Sequence, residues 1–269
     1  MKSFTTRSFA RRKERREPIT MVTAYDATFA RLSEQAGVDS LLVGDSLGNV
    51  IQAQKTTLPV TLEEIAYHTR CVTRATSRVH VVADMPFGTY GSSMHDAIDN
   101  AAHLMKCGGA HGVKLEGGRQ LAELIHRMTS IGIPVMGHLG FTPQSVHAFG
   151  GHYVQGRDES AAERMLEDAH VLAEAGVYAI VLEMVPVEIA KRITDEVSAP
   201  TIGIGAGNVT DGQVLVGYDL LGLNDGFKPR FLKRFAELGE ATRGALSTYV
   251  DEVKARSYPA EEHTFRTEE

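Results

Sequence analysis

The sequence has no tryptophan and only two cysteines, Cys71 and Cys107, among its 269 residues. Two cysteines exclude a disulfide framework and a zinc site built from paired cysteines, and reduced thiols are typical of an intracellular protein. No run approaches the ~18 consecutive apolar residues that cross a bilayer. The first residues also lack the apolar core of a secretory signal. We therefore expect a cytoplasmic protein with no membrane partner.

Charge is unevenly distributed along the chain. Residues 1–18 contain seven basic and two acidic residues, whereas the whole chain carries a net charge of −6. A basic arm can bind nucleic acid or act as a transit peptide. This arm is short, contains acids and precedes an acidic chain, which favours a solvated helix covering one end of a domain. We expect an N-terminal helical arm at 1–18, a single domain at 19–269 and no nucleic-acid partner.

Short, near-continuous runs of valine, isoleucine, leucine and alanine recur along the chain, which is typical of parallel strands covered on both faces. The predicted strands are 19–24, 40–44, 80–83, 112–115, 134–137, 179–182, 200–203 and 219–222. Helical patterns separate them, and most end at a glycine, as helices often do. The predicted helices are 27–36, 62–75, 95–106, 120–130, 160–175, 187–197 and 211–216.

Eight strands alternating with helices predict an α/β protein with a (β/α)8 barrel fold. The competing fold is an open doubly wound sheet, which usually has fewer strands and a glycine-rich turn after the first one. Here the first turn is Tyr25-Asp26-Ala27 and contains no glycine. The sequence therefore favours the closed barrel.

Carboxylates follow three strands that are neighbours in such a barrel. Asp45, Asp84 and Glu116 come at the carboxyl ends of the second, third and fourth predicted strands, where active sites of barrels lie. One acid after a strand is usually a helix cap, but three brought together repel one another and need protons, cationic partners or a metal. Oxygen ligands without cysteine indicate a hard cation, and we predict Mg²⁺ bound by these three residues.

The other polar strand ends suggest the chemistry of the site. Lys114 and Glu116 are two residues apart and share one strand face, so both point into the barrel. A 2-oxo acid would chelate the metal, Lys114 would contact its carboxylate and Ser46 would donate a hydrogen bond. Glu183 precedes the apolar stretch Met184-Val185-Pro186. A carboxylate in an apolar setting is suited to take a proton from carbon. The pattern predicts enolisation of a 2-oxo acid, with the enolate stabilised by Mg²⁺.

Three other features remain open to two interpretations. His138, at the end of the fifth strand, either contacts substrate and orients Lys114 or is structural. The glycine-rich segment 203–207 does not fit a dinucleotide-binding motif, so close packing is favoured over anion binding. The long loop 140–157 is either a lid or a subunit contact.

Seven strings, in order along almost the whole chain, resemble the ketopantoate hydroxymethyltransferase family. They are Val-Thr-Ala-Tyr-Asp (22–26), Val-Gly-Asp-Ser-Leu-Gly (43–48), Thr-Leu-Pro-Val-Thr (57–61), Val-Lys-Leu-Glu-Gly-Gly (113–118), Gly-His-Leu-Gly-Phe-Thr-Pro-Gln-Ser (137–145), Leu-Glu-Met-Val-Pro (182–186) and Ile-Gly-Ile-Gly-Ala-Gly (202–207).

The resemblance implies an enzyme that moves a hydroxymethyl group from 5,10-methylenetetrahydrofolate to 3-methyl-2-oxobutanoate, giving 2-dehydropantoate for pantothenate and coenzyme A synthesis. It implies Mg²⁺, one per subunit, at Asp45, Asp84 and Glu116, and keto-acid contacts from Asp45, Ser46, Asp84 and Lys114. Glu183 matches the proton acceptor. The resemblance also implies a homo-oligomer, commonly a decamer, and an N-terminal helix that closes the barrel bottom.

Two other readings of the same residues remain. The first is a related Mg²⁺-dependent lyase or mutase of the phosphoenolpyruvate-binding barrel group, but the Lys-Lys-Cys-Gly-His loop of its lyases does not occur here. The second is a barrel that only binds a keto acid or nucleic acid. The presence of Glu183 argues against it, because a binding protein has no need of a base.

Overall fold

The computed structural model describes residues 3–224, 226 and 228–267. Within them, parallel strands pair in chain order and β8 returns to β1, which closes a barrel. The strands are β1 Ile19–Thr23, β2 Ser40–Val43, β3 His80–Asp84, β4 Gly112–Glu116, β5 Val135–Gly140, β6 Ala179–Glu183, β7 Thr201–Ile204 and β8 Gly212–Leu215. The predicted (β/α)8 barrel is confirmed.

Helices occupy the connections between the strands except the one from β7 to β8, where residues 205–211 form no helix. They are α1 Thr6–Arg15, α2 Ala27–Gln35, α3 Leu47–Val50, α4 Leu62–Thr73, α5 Met94–Gly108, α6 Ala122–Ser130, α7 Val146–Phe149, α8 Glu159–Glu174, α9 Val187–Glu196, α10 Gly217–Leu220 and α11 Leu238–Ala255. Short 3-10 turns lie at Arg119–Leu121, Pro143–Ser145 and Glu261–His263. None of the helices in the described part of the chain is long and apolar enough to cross a membrane.

The predictions for the last helix and the last strand are wrong. Residues 211–216, predicted as a helix, contain strand β8, and residues 219–222, predicted as a strand, overlap the short helix α10. In β8, Gly212 lies opposite Ile19 of β1, and a Cβ on this glycine would lie 2.5 Å from the Ile19 carbonyl oxygen. The close approach of the strands therefore favours glycine at Gly212. The apolar pattern of the sequence did not predict strand β8, because Val214 is its one hydrophobic side chain buried in the core.

Contacts divide the chain into two compact units, 1–217 and 218–269. The first unit holds all the strands of the barrel. The second holds α11 and the 3-10 turn Glu261–His263. The predicted division into 1–18 and 19–269 stays a prediction.

Helix α1 lies against the amino ends of the strands. Phe9 is fully buried, and its ring centroid lies 5.4 Å from that of His80, the first residue of β3. The same ring lies 5.2 Å from that of Tyr178, which directly precedes β6. Phe9 thereby joins the apolar cluster that fills the barrel interior. The N-terminal helix covers the bottom of the barrel, as predicted.

Two cations of the basic arm bind acids at this same end of the barrel. Lys13 Nζ lies 2.8 Å from Asp211 Oδ2, and Arg12 donates to Asp39 Oδ1 over 3.1 Å. Asp39 and Asp211 directly precede β2 and β8. These pairs give part of the arm's positive charge a structural role.

The imidazole of His80 is buried beneath this helix, and we predict a pH-dependent contribution to stability. Burial, with the neighbouring His111, lowers the pKa of His80 to about 3. The unfolded chain takes up this proton near pH 6.5 and the folded chain only near pH 3. Stability from the neutral ring is therefore lost as pH falls through that window, by about 1.4 kcal/mol per pH unit.

The free energy of unfolding, measured by urea denaturation, should fall between pH 7.5 and pH 5.0 in both proteins. The fall should be about 2 kcal/mol smaller in His80→Phe than in the wild type. His95→Phe changes a largely exposed histidine and is the control, expected to follow the wild type. Equal pH dependence for His80→Phe and the wild type would contradict the prediction.

Candidate active site

The two-residue period of the strands separates an apolar layer from a polar layer inside the barrel. The upper, carboxyl-end positions of β3, β5 and β6 carry Asp84, His138 and Glu183. The inward positions two residues earlier are apolar and belong to the interior cluster: Val82, Met136 and Val181. Because side chains two apart share a face, the polar groups are held above a packed core at the carboxyl edge.

Lys114 is the central cation of the site. Its Nζ lies 2.9 Å from Asp84 Oδ1, 3.6 Å from Glu116 Oε1 and 3.1 Å from His138 Nδ1. All four residues are at least 93% buried. The prediction that Lys114 and Glu116 share the inward face of β4 is confirmed.

Three carboxylates share this buried site with one lysine, and their protonation is shifted accordingly. Burial, together with the charges of Asp84 and Glu116, raises the pKa of Asp45 well above its ordinary value. Burial also raises the pKa of Asp84, although Lys114 opposes it. Burial acts to raise the pKa of Glu116 too, but Lys114 and His138 outweigh it and the pKa is lowered. Burial acts to lower the pKa of Lys114, but the three carboxylates outweigh it and raise the pKa, which keeps the ammonium charged.

Asp45 and Ser46 follow β2 and are tied to neighbouring elements. The backbone N–H of Asp45 donates to Asp84 Oδ2 over 2.9 Å. The Ser46 hydroxyl lies 2.8 Å from the hydroxyl of Tyr25, which is itself 1% exposed. This contact joins the loops after β1 and β2, so no local pattern predicts a role for Tyr25.

His138 bridges the lysine cluster and Glu183. Its Nδ1 lies 3.4 Å from Glu116 Oε1, and its Nε2 lies 3.3 Å from Glu183 Oε2. Burial and the Lys114 charge act to lower the pKa of His138, but the hydrogen bonds to the two glutamates outweigh them and raise it. Of the two readings of this residue, the contacts support a part in the site.

Glu183 is the most exposed carboxylate of the group, with 16% of its side chain accessible. Its backbone oxygen accepts a hydrogen bond from Phe141 N–H over 2.8 Å. A Cβ on Gly140, whose φ is +92°, would lie 2.2 Å from that oxygen. Glycine at 140 therefore lets the loop after β5 close onto the end of β6. Met184, directly after Glu183, adopts a φ of 49°, which is uncommon for a residue with a side chain.

Gln144 and Tyr90 belong to the site but were not found from the sequence. The Gln144 side-chain amide donates to Asp45 Oδ2 over 2.9 Å, and its backbone N–H donates to Glu116 Oε2 over 3.0 Å. The Tyr90 hydroxyl donates to Gln144 Oε1 over 2.6 Å. Both residues come from loops, and Gln144 lies in a 3-10 turn without periodicity. The only sequence signal was the membership of Gln144 in the string at 137–145.

The glycine-rich segment 203–207 packs closely against its neighbours. A Cβ on Gly207 would lie 2.6 Å from Val187 Cγ2, and one on Gly203 would lie 2.7 Å from Thr210 Oγ1. This supports the packing interpretation of the segment. The loop 140–157 contains the turn with Gln144 and helix α7, and its reading as a lid or a subunit contact stays a prediction.

The predicted metal ligands meet at the site without forming a closed metal cage. Among the residues that the structure describes, no three histidine, cysteine, aspartate or glutamate side chains are arranged to hold an ion. Asp84 Oδ1 and Glu116 Oε1 are nevertheless buried and lack a hydrogen bond of acceptable geometry within the described chain, although Lys114 Nζ lies near both. Three buried carboxylates around one lysine are an excess of buried acid, which fits a hard cation whose remaining ligands come from water or substrate.

Comparison with known proteins identifies the family. The family model described as ketopantoate hydroxymethyltransferase matches residues 3–261. The 3-methyl-2-oxobutanoate hydroxymethyltransferase of Syntrophus aciditrophicus is 50% identical, with 98% of this chain and 97% of the relative covered. The enzyme of the same name from Salinibacter ruber is 49% identical, with 98% of this chain and 100% of the relative covered.

Solved structures of other enzymes share the fold. A 2,3-dimethylmalate lyase of the PEP mutase/isocitrate lyase superfamily matches with a TM-score of 0.60 and 16% identity, covering 98% of this chain and 92% of that one. A phosphonopyruvate hydrolase matches with a TM-score of 0.62 and 10% identity, covering 98% of this chain and 92% of that one. At such identities the likeness concerns the barrel alone. The match to the family model and the ~50% identity over nearly the full length place this chain in the ketopantoate hydroxymethyltransferase family, as an enzyme of the hydroxymethyltransferase class.

Proposed function

We propose that the protein transfers a hydroxymethyl group from 5,10-methylenetetrahydrofolate to 3-methyl-2-oxobutanoate, giving 2-dehydropantoate for pantothenate and coenzyme A synthesis, with Glu183 as the base. The observation that carries the proposal is the position of Glu183. Its carboxylate is partly exposed at the carboxyl edge of the barrel and is joined through His138 to the buried lysine cluster. This position supports the assignment of Glu183 as a base beside a charged anchor for an acidic substrate.

The anchor for the keto acid combines charge and hydrogen bonding. Lys114 would contact the substrate carboxylate, since its ammonium is held charged by the surrounding acids. The Ser46 hydroxyl, positioned by Tyr25, would donate to the same substrate. Asp45 and Asp84 would line this pocket from β2 and β3. Such placement orients the reacting carbon toward one catalytic group.

Asp45, Asp84 and Glu116 would hold Mg²⁺, one per subunit. When bound, the ion would polarise the keto group as a Lewis acid and make the adjacent C–H bond more acidic. Its support in this structure is the excess of buried carboxylate over buried cation, since the charges of all three acids act on the single ammonium of Lys114.

Glu183 would take the proton from C3 of the keto acid. Water cleaves the C–N bonds that hold the one-carbon unit, which releases tetrahydrofolate and leaves the unit as formaldehyde. The electron pair left on C3 then forms the new C–C bond to the formaldehyde carbon, and its oxygen takes up the proton that Glu183 removed. His138 Nε2, 3.3 Å from Glu183 Oε2, would hold the carboxylate in place during proton transfer. A positioned base of this kind contributes about 10²- to 10⁴-fold to rate.

A Mg²⁺-dependent lyase or mutase on the same barrel is the alternative. Its support is confined to fold likeness at 10–16% identity. The transferase is favoured by relatives about 50% identical over nearly the full length.

The test separates proton removal from one-carbon transfer. We expect the purified protein with Mg²⁺ to exchange the C3 deuterium of labelled 3-methyl-2-oxobutanoate with solvent, as followed by proton NMR. Exchange should stop when EDTA removes the metal, and 2-dehydropantoate should form only when the folate donor is added. Absence of exchange by the wild-type protein in Mg²⁺ would overturn the enolisation mechanism, whereas product formation without folate would overturn the assigned donor.

We further propose a homo-oligomer, a decamer by family resemblance, in the cytoplasm. Helix α11 supports the oligomer, because it presents large apolar side chains to solvent, including Leu246 at 59% and Tyr249 at 54% exposure. Contiguous exposed apolar surface commonly marks a protein interface. The two cysteines are both free thiols, as expected in a reducing compartment.

A further inference from the structure

The loop after β5 brings one residue into contact with two of the site carboxylates. Gln144 is 6% exposed, and its side-chain Nε2 donates to Asp45 Oδ2 and to the Met85 carbonyl, both over 2.9 Å. Its backbone N–H donates to Glu116 Oε2 over 3.0 Å. Gln144 therefore occupies one oxygen of each carboxylate. Glu116 Oε1, the other oxygen of that group, makes no hydrogen bond of acceptable geometry in the described part of the chain, although His138 Nδ1 lies 3.4 Å and Lys114 Nζ 3.6 Å from it.

Tyr90 fixes the orientation of the Gln144 amide. The Met85 carbonyl can only accept a hydrogen bond, so the NH₂ group must face it, and the amide oxygen then faces the Tyr90 hydroxyl. That hydroxyl donates to Gln144 Oε1 over 2.6 Å and accepts from the Glu116 N–H over 3.3 Å. Loops after β2, β3 and β5 are thereby joined in one buried hydrogen-bond chain that runs from Tyr90 through Gln144 to Asp45.

The geometry couples the two carboxylates rather than merely burying them. Both donors of Gln144 belong to one residue in the turn Pro143–Ser145. A displacement of this turn would therefore disturb Asp45 and Glu116 together. An apolar side chain of the same length could not donate to Asp45, although the backbone N–H would still reach Glu116.

We propose that Gln144 is a positioning residue, which, with Tyr90 behind it, orients the carboxylates of Asp45 and Glu116 toward a divalent cation. The inference rests on the proposed function, in which these carboxylates hold Mg²⁺. Outer partners that orient metal ligands typically affect metal affinity by 10- to 100-fold. The cation itself is the appropriate probe, because its binding reports ligand orientation without any turnover.

The experiment measures the dissociation constant of Mn²⁺, used as a spectroscopic substitute for Mg²⁺, by electron paramagnetic resonance with the full-length protein. Gln144→Met keeps the length of the side chain and the backbone N–H but removes the amide, and we expect binding 10- to 100-fold weaker. Tyr90→Phe leaves the amide unoriented, and we expect a smaller loss of several-fold. The double variant should bind no more weakly than Gln144→Met alone, because the two residues act in one chain.

Gln52→Met is the matched control. The Gln52 side-chain amide also donates to a carboxylate, Glu64 Oε1, over 2.7 Å, but this pair lies between the loop after β2 and helix α4. We expect its Mn²⁺ affinity to equal that of the wild type. Circular dichroism and melting temperature establish that each variant is folded, and if Gln144→Met does not fold, Tyr90→Phe decides the question.

The possible outcomes distinguish this inference from the proposed function. If the wild type binds Mn²⁺ and folded Gln144→Met binds it within twofold as tightly, the positioning role is overturned and the metal site stands. If Gln52→Met weakens binding as much as Gln144→Met, the effect is not specific to the site and the inference fails. If the wild type binds no Mn²⁺, both the inference and the metal part of the proposed function are overturned.

Discussion

Replacing Glu183 by glutamine should reduce C3 deuterium exchange of 3-methyl-2-oxobutanoate by at least about 100-fold while leaving keto-acid affinity within about threefold of the wild type. Glutamine keeps the shape of the side chain and can still bond to His138, but it cannot accept a proton from carbon. In the proposed function, the keto acid would be anchored by Lys114 and the carboxyl edge of β2–β4 instead. Exchange by NMR and keto-acid binding by calorimetry are measured on the same preparation.

The Glu183→Gln result has a control on the same connection. Glu188, in the first turn of α9, is exposed and five residues away, so Glu188→Gln makes the same chemical change outside the site. It should exchange deuterium at the wild-type rate. Loss of keto-acid binding by Glu183→Gln would show that Glu183 is a ligand of the substrate, and unchanged exchange would show that another group removes the proton.

Replacing Lys114 by methionine should strongly lower the free energy of unfolding of the metal-free protein. The ammonium lies 2.9 Å from Asp84 Oδ1 and near Glu116 and His138, in a site almost closed to solvent. Removing one partner of a buried charge pair leaves uncompensated charge and typically costs about 3–5 kcal/mol of stability. We also expect keto-acid affinity to fall about 10- to 100-fold, because a charged hydrogen bond to the substrate is lost.

The loss of stability in Lys114→Met should depend on pH in a direction fixed by the carboxylates. In the wild type, Lys114 is a main cause of the lowered pKa of Glu116. Without it, burial remains and raises that pKa, so the folded variant holds a proton that the unfolded chain has released. A folded state that binds more protons than the unfolded chain becomes less stable as pH rises. The difference in free energy of unfolding between variant and wild type should therefore grow from pH 5 to pH 8.

Urea denaturation in EDTA at several pH values measures this difference. Lys191→Met is the control, because Lys191 pairs with Asp195 on the exposed surface of α9. Exposed ion pairs contribute little, so this variant should stay close to the wild type at every pH. A pH-independent loss in Lys114→Met, or one equal to that of Lys191→Met, would show that the ammonium does not balance the buried acids.

The strand ends show how far local sequence carries the prediction of the site. Asp84 and Glu116 were assigned from their places after apolar runs, and the structure brings them to one lysine within 3.6 Å. The alternation of side chains along a strand is a local property, so an inward direction follows from spacing alone. The same local signal failed at β8, because Gly212 and Gln213 carry little apolar content and the strand is specified by its neighbours.

The role of Gln144, in contrast, cannot be predicted from local sequence. It lies 99 residues from Asp45 in the chain, in a turn whose course has no periodic signal. Its donors are meaningful only because the closed barrel brings the loops after β2, β3 and β5 to one edge. Tyr25 and Tyr90 were missed for the same reason.

The sequence by itself determined the barrel, the inward face of its strands, the acids and lysine at their carboxyl ends and, through seven ordered strings, the family. These are properties of residue types and short spacings, which local backbone geometry fixes. Tertiary structure alone decided which donors reach each carboxylate oxygen, that His138 joins Glu183 to Lys114, and that Gln144 joins Asp45 to Glu116. Hydrogen bonds between separate loops form only when the closed barrel places donor and acceptor to within a few tenths of an ångström. No local sequence pattern encodes that placement.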